Sequence, residues 1–132
     1  MALVVDTSAV AAIVFGEPDA LAFGEALIAH AGDVHISAAT VLEARIVIES
    51  RQGSSGTQDL ARLLDQVSAA IVPFDAQQTS LATAAWQRYG KGRHAAGLNF
   101  GDCFSYALAR HLGMPLLYKG DDFTHTDVHA AI

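Results

Sequence analysis

The residues best suited to chemistry in this sequence are carboxylates set far apart along the chain: Asp6, Glu43, Asp102 and the neighbours Asp121 and Asp122. Asp6 ends the apolar run Leu3-Val4-Val5 and is followed by Thr7 and Ser8. A carboxylate in that position stands at the C-terminal end of a buried strand, where open α/β sheets hold their ligands. Asp121 and Asp122 follow a second apolar run, Leu116-Leu117-Tyr118, in the same way. Asp102 falls in the first turn of a predicted helix, where the helix dipole favours negative charge. Glu43 falls in the second turn of another. Strands of a parallel sheet all end at one edge, so these groups can meet there. Carboxylates packed together repel unless a cation lies between them. Oxygen donors without histidine or cysteine select Mg²⁺ or Mn²⁺ over zinc. Each acid also has a plainer role: Asp6 as a helix cap, Asp102 as a helix-start acid, Glu43 as an exposed helix residue, Asp121 and Asp122 as turn residues. The weight of the pattern is in the joint placement.

Charge is distributed in a way that fits this chemistry. The formal net charge of −6 argues against a general polyanion binder. Three of the eight basic residues, Arg88, Lys91 and Arg93, nevertheless fall in one short stretch with His94 beside them. Acids at a centre with a basic segment nearby suit a site that takes a divalent cation first and a phosphodiester second. Lys91, Arg93 and His94 are candidate phosphate contacts; a solvated loop is the alternative. His125 and His129, with Asp127 between them, have a spacing that would hold a transition metal on a helix, but the tail has little helical character. Cys103 reads as a small core residue, because no histidine is placed to activate it. Trp86 and Tyr89 read as core or dimer contacts.

Alternating elements must position these groups. Ala2–Val5 is a predicted strand, with Thr7 and Ser8 capping a helix over 8–15. Gly16-Glu17-Pro18-Asp19 breaks that helix, and Pro18 suits the first turn of the next, which stops near Gly32. Val34–Ile36 is a short strand, with Ser37 as the cap of a helix over 38–51. Gly53-Ser54-Ser55-Gly56 reads as a turn and Thr57 as the cap of a further helix. Residues 70–74 form the third strand, and Asp75 caps a helix running to about Tyr89. Residues 90–99 are irregular. Phe100-Gly101-Asp102 opens a helix that ends at Gly113. Residues 115–118 form the fourth strand, and the tail adds a short final one. This order predicts a parallel sheet with helices on both faces.

The 132 residues make one domain, 1–132, long enough for a real core. A hydrophobic content of 52% excludes wholesale disorder. No apolar run reaches the roughly 20 residues that cross a bilayer. The start lacks the pattern of a secretory signal, and the single cysteine excludes an internal disulfide or a cysteine-based zinc site. A cytoplasmic location is the expectation.

With these features in place, the sequence resembles a PIN-domain ribonuclease of the VapC toxin type. The resemblance is carried by Val4-Val5-Asp6-Thr7-Ser8-Ala9, by residues 37–43 ending in Leu42-Glu43, by residues 97–109 around Gly101-Asp102-Cys103, and by Leu116 to Phe123 with Thr126-Asp127-Val128. It spans nearly the whole chain, with the motifs in the family's order. It implies a PIN-like three-layer α/β/α fold with a parallel sheet of four to five strands. It implies Asp6, Glu43 and Asp102 as metal-site acids. Many members place a fourth acid three residues before a phenylalanine; here that position is Gly120, so Asp121 and Asp122 are both candidates, with Asp122 preferred. Thr7 or Ser8 would assist the metal or the phosphate. The resemblance further implies metal-dependent RNA cleavage by an activated water, a homodimer and a VapB-like antitoxin partner.

Two other readings share the acids. One is a phosphotransfer hydrolase with Asp6 as nucleophile and Lys119 near the phosphoryl group. That chemistry commonly has a second acid two residues on, where this chain has Ser8. The other is a non-enzymatic, receiver-like metal-binding module that switches partners.

Overall fold

The computed structural model describes residues 1–132. Four short strands form its centre: β1 (Leu3–Val5), β2 (Val34–Ser37), β3 (Ala70–Val72) and β4 (Leu116–Leu117). They pair in the order β3-β2-β1-β4, all parallel, with Leu3 opposite Val34, Val4 opposite Leu116 and Ile36 opposite Ile71. Five helices cover the sheet: α1 (Thr7–Val14), α2 (Ala20–Ala29), α3 (Ala38–Gln66), α4 (Ala76–Tyr89) and α5 (Phe100–Leu112). None is long and apolar enough to cross a membrane.

Side chains of β1 alternate between two cores, as a pleated strand requires. Leu3 and Val5 pack with Val10, Leu27, Ile48 and Leu60 of α1, α2 and α3. Val4 faces the other way, into a core with Tyr106 and Leu108 of α5, Ala85 of α4, Leu98 and Phe123. Every residue of β1 is fully buried, which is why its sequence is apolar without alternation. The expected parallel sheet between two helical layers is therefore present. It has four strands. The tail contributes a single bridge, Leu116 to Ala130, in place of the final strand.

Several boundaries differ from those expected, each for a local reason. Asp6, rather than Thr7 or Ser8, caps α1: its Oδ2 accepts from the Ser8 backbone N–H at 3.0 Å. Pro18 lies in the turn before α2, and Asp19 is the flanking residue at that helix start. The expected break at residues 53–56 is present but shorter: it is confined to Gly53 (φ 67°, ψ −163°), a conformation open to glycine alone, where two helical segments of α3 meet at a kink that folds Gly56 back onto Ile48. Thr57 is consequently inside α3, and its hydroxyl donates to Glu49 rather than capping. Ser37 and Asp75 cap α3 and α4 as expected, and Gly113 ends α5 in the left-handed conformation (φ 64°).

Candidate active site

The parallel sheet brings three helix starts to one edge, and the acids come with them. Asp6 stands at the β1–α1 junction and Glu43 in the second turn of α3. Asp102 is at the third position of α5, and Asp122 lies beyond β4. Asp6, Thr7, Ser8, Glu43, Asn99, Asp102, Lys119 and Asp122 line one cleft of about 260 Å³. Asp121 does not. Gly120 turns the chain with φ 98° just before the pair; both aspartates are exposed, and Asp122 alone is in the lining.

Asp6, Glu43 and Asp102 are each held by hydroxyls or backbone N–H groups. Asp6 is only 3% exposed. Its Oδ1 accepts from the Ser105 hydroxyl at 2.5 Å, and its Oδ2 accepts from the Ser8 hydroxyl at 2.7 Å. Glu43 accepts from the Thr7 hydroxyl. Asp102 closes a capping box with Asn99. Its own N–H donates to the Asn99 side chain (2.9 Å) and its carboxylate accepts from the Asn99 N–H (3.0 Å). Thr7 and Ser8 thus hold acids in this arrangement, where the sequence reading has them at the metal or phosphate. Gly101 matters for a steric reason: a Cβ there would overlap the Glu43 carboxylate.

The electrostatics show what the cleft lacks. Burial raises the Glu43 pKa, partly offset by the Thr7 hydrogen bond and reinforced by the charge on Asp6. Burial likewise pushes Asp102 up to about 8; the Asn99 N–H opposes this, while Asp122 and Asp6 add to it. The one cation at the rim, Lys119, is turned away. Its Nζ donates to Glu17 (2.7 Å) and Asp19 (3.2 Å), while its backbone N–H donates to the Ser8 hydroxyl (2.9 Å). Lys119 is therefore not the phosphoryl-binding lysine that the phosphotransfer reading requires. An all-oxygen, acid-rich cleft without a basic partner is chemically matched to a hard divalent ion. As the side chains stand, no three acids, histidines or cysteines close into a ready ligand cluster, so gathering these carboxylates on one ion requires side-chain rotation.

The basic segment is elsewhere. Lys91, Arg93 and His94 are exposed on the α4–α5 connection, and none lines the cleft. The Arg93 guanidinium lies 4.2 Å over the Trp86 ring, and the His94 ring meets Tyr89 edge-on with centroids 5.1 Å apart. Asn99, at the end of the same connection, does reach the cleft. Tyr89 is buried in the core and Trp86 is on the surface. Cys103 is buried and donates to the Asn99 carbonyl. The tail does not gather a metal site: Asp127 accepts from the Tyr106 hydroxyl at 2.5 Å and lies 3.6 Å from Arg110. Ser105, Thr40, Asn99 and Gly101 were not singled out from sequence. Only Asn99 left a signal there, the Asn-x-x-Asp spacing of a capping box.

Comparison with known proteins bears on the arrangement. Residues 3–128 match the PIN domain family. The sequence is 52% identical over 128 residues to a protein named Ribonuclease VapC from Mycolicibacterium smegmatis, covering 97% of this chain and 98% of that one. It is 48% identical over 127 residues to Ribonuclease VapC30 of Mycobacterium tuberculosis, covering 96% and 95%. The fold superposes on Mycobacterium tuberculosis VapC20, described as a sarcin–ricin loop cleaving toxin, with a TM-score of 0.78 at 19% identity, covering 96% of each chain. It also superposes on VapBC2 of Rickettsia felis, solved bound to a promoter DNA fragment, with a TM-score of 0.73 at 16% identity, covering 98% and 96%.

Proposed function

The chain belongs to the PIN-domain family and, within it, to the VapC ribonucleases, and on that footing we propose that it is a divalent-metal-dependent endoribonuclease, the toxin of a type II toxin–antitoxin pair acting in the cytoplasm. The observation that carries the metal-dependent part is the meeting of Asp6, Glu43, Asp102 and Asp122 at one cleft whose only nearby cation, Lys119, is committed to Glu17 and Asp19.

In this reading Asp6, Glu43, Asp102 and Asp122 would hold Mg²⁺ or Mn²⁺. The ion, when bound, supplies Lewis acidity toward the phosphoryl oxygens and lowers the pKa of water. The rest falls to the protein's own groups. Glu43, steadied by Thr7, orients the attacking water and takes its proton; its raised pKa makes it a better base than an ordinary carboxylate. The water oxygen forms a bond to phosphorus as the bond to the 3′ oxygen breaks; Glu43 keeps the proton of the attacking water, and the leaving 3′ oxygen takes its proton from a solvent water. The products carry 5′-phosphate and 3′-hydroxyl ends. Lys91, Arg93 and His94 contact flanking phosphates away from the cleft and act on affinity. Unpaired loops of a structured RNA are the substrate class, because their bases are open to readout. A second copy of the chain and a VapB-like antitoxin are the protein partners.

The test is cleavage of a structured RNA by the purified protein with Mg²⁺, with a chelator, and in the Asp6→Asn and Asp102→Asn variants. Cleavage should occur only in the first case. Undiminished cleavage in chelator would remove the metal from the mechanism, and a trapped aspartyl-phosphate would favour the phosphotransfer chemistry instead.

A further inference from the structure

Beneath the cleft lies a chain of hydroxyls that the reaction as described does not use. Ser105 of α5 and Thr40 of α3 have no exposed surface. The Ser105 hydroxyl spends its single proton on Asp6 Oδ1. It lies 3.4 Å from the Thr40 hydroxyl, so Thr40 must be the donor in that contact. The result is a directed relay from Thr40 to Ser105 to Asp6, each bond polarising the next. The positions of the two hydroxyls are informative. Thr40 stands three residues before Glu43, and Ser105 three residues after Asp102. Three residues along a helix put side chains on the same face. The helices that carry Glu43 and Asp102 are thereby tied through a buried contact to the carboxylate between them. On the other side of Asp6, the Ser8 hydroxyl and N–H take Oδ2. A carboxylate has about four lone-pair sites. Three are occupied by these donors, which leaves about one for a cation and fixes where it points.

We propose that Ser105, backed by Thr40, is a positioning residue: it aims the free lone pair of Asp6 into the cleft and so sets affinity for the divalent ion. The proposal rests on the metal-dependent reading above. Mn²⁺ titrated calorimetrically into the full-length protein separates the two. Wild type should bind saturably and Asp6→Asn should not. Ser105→Ala should weaken Mn²⁺ binding by about 10- to 100-fold, the range for removing a group that orients a ligand. Its metal-free melting temperature should fall by several degrees, because Asp6 Oδ1 loses a charge-assisted hydrogen bond, so affinity is compared at a temperature where both proteins are folded. Thr40→Val should weaken binding less, and should add nothing in the Ser105→Ala background, because it acts through Ser105. Wild-type affinity in Ser105→Ala overturns the proposal and leaves the metal reading standing. If Ser105→Ala does not fold, Thr40→Val decides alone, and wild-type affinity in that variant overturns the proposal. Absence of Mn²⁺ binding by wild type overturns the metal reading and this inference with it.

Discussion

Asp102 ionises reluctantly, and that single property links the site's chemistry to the protein's stability. Its carboxyl is raised from 3.8 to about 8 in the folded chain, chiefly by burial. The folded state therefore binds more protons than the unfolded state across that interval, and metal-free stability falls as pH rises through it. A divalent ion should reverse this, so the gain in melting temperature from Mg²⁺ or Mn²⁺ should be larger at pH 8 than at pH 6. Asp102→Asn should flatten the metal-free pH dependence and remove the gain; calorimetric melting across pH measures both. Gly101→Ala offers a second probe. The new Cβ displaces the Glu43 carboxylate, so cleavage should fall at least tenfold, while overpacking costs about 1–3 kcal/mol of stability by denaturant titration. At this scale Asp6 and the Asp121–Asp122 pair were legible because a charge beyond an apolar run is conspicuous, and Glu43 and Asp102 because they fall in the first two turns of predicted helices. Ser105 was not, because its meaning depends on Asp6, 99 residues away, and a serine in a helix declares no partner. Asp121 and Asp122 could not be separated by type; in the fold only Asp122 lines the cleft.

Helix starts are the working elements of this molecule. Asp6 caps α1, Ser37 caps α3 and Asn99 caps α5, and the acids sit in or beside those first turns. The Asn99 cap has two tasks: it satisfies the first turn of α5 and it restrains Asp102. Asn99→Ala should cost about 1 kcal/mol of stability and lower cleavage as well, since Asp102 loses its restraint. Element order and the parallel sheet were readable because buried strands and capped amphipathic helices alternate along the chain. The Gly53-Ser54-Ser55-Gly56 stretch was readable as a break, because glycine favours turns, but not its extent: the turn is confined to Gly53, and the two helical segments it joins share one core through Ile48, Leu60 and Leu64. At Gly53 only glycine fits the backbone, so Gly53→Ala should destabilise the protein by about 1–3 kcal/mol in urea unfolding, with the cleft intact.

Taken whole, the molecule buries Asp6, half-buries Glu43 and Asp102, and exposes apolar side chains beside them. Phe100 is 80% exposed, and Leu42, Ile46 and Val47 of α3 are exposed with it. Phe100, Leu42, Ile46 and Val47 share a groove that also includes Glu43. Such a surface suits coverage by a second copy of the chain. Light scattering should give twice the 13.9 kDa of one chain, and Ile46→Glu with Phe100→Glu should return it to one. The sequence could not locate this surface, because helical apolar residues read alike whether they face a core or a partner. The central claim remains the gathering of carboxylates around a hard cation. Anomalous diffraction from a crystal soaked in Mn²⁺ tests it most directly. The account predicts a peak in the cleft within direct coordination distance of Asp6 and Asp102. A saturating soak that leaves the cleft without a peak, or puts the ion at a site free of these two side chains, would contradict it.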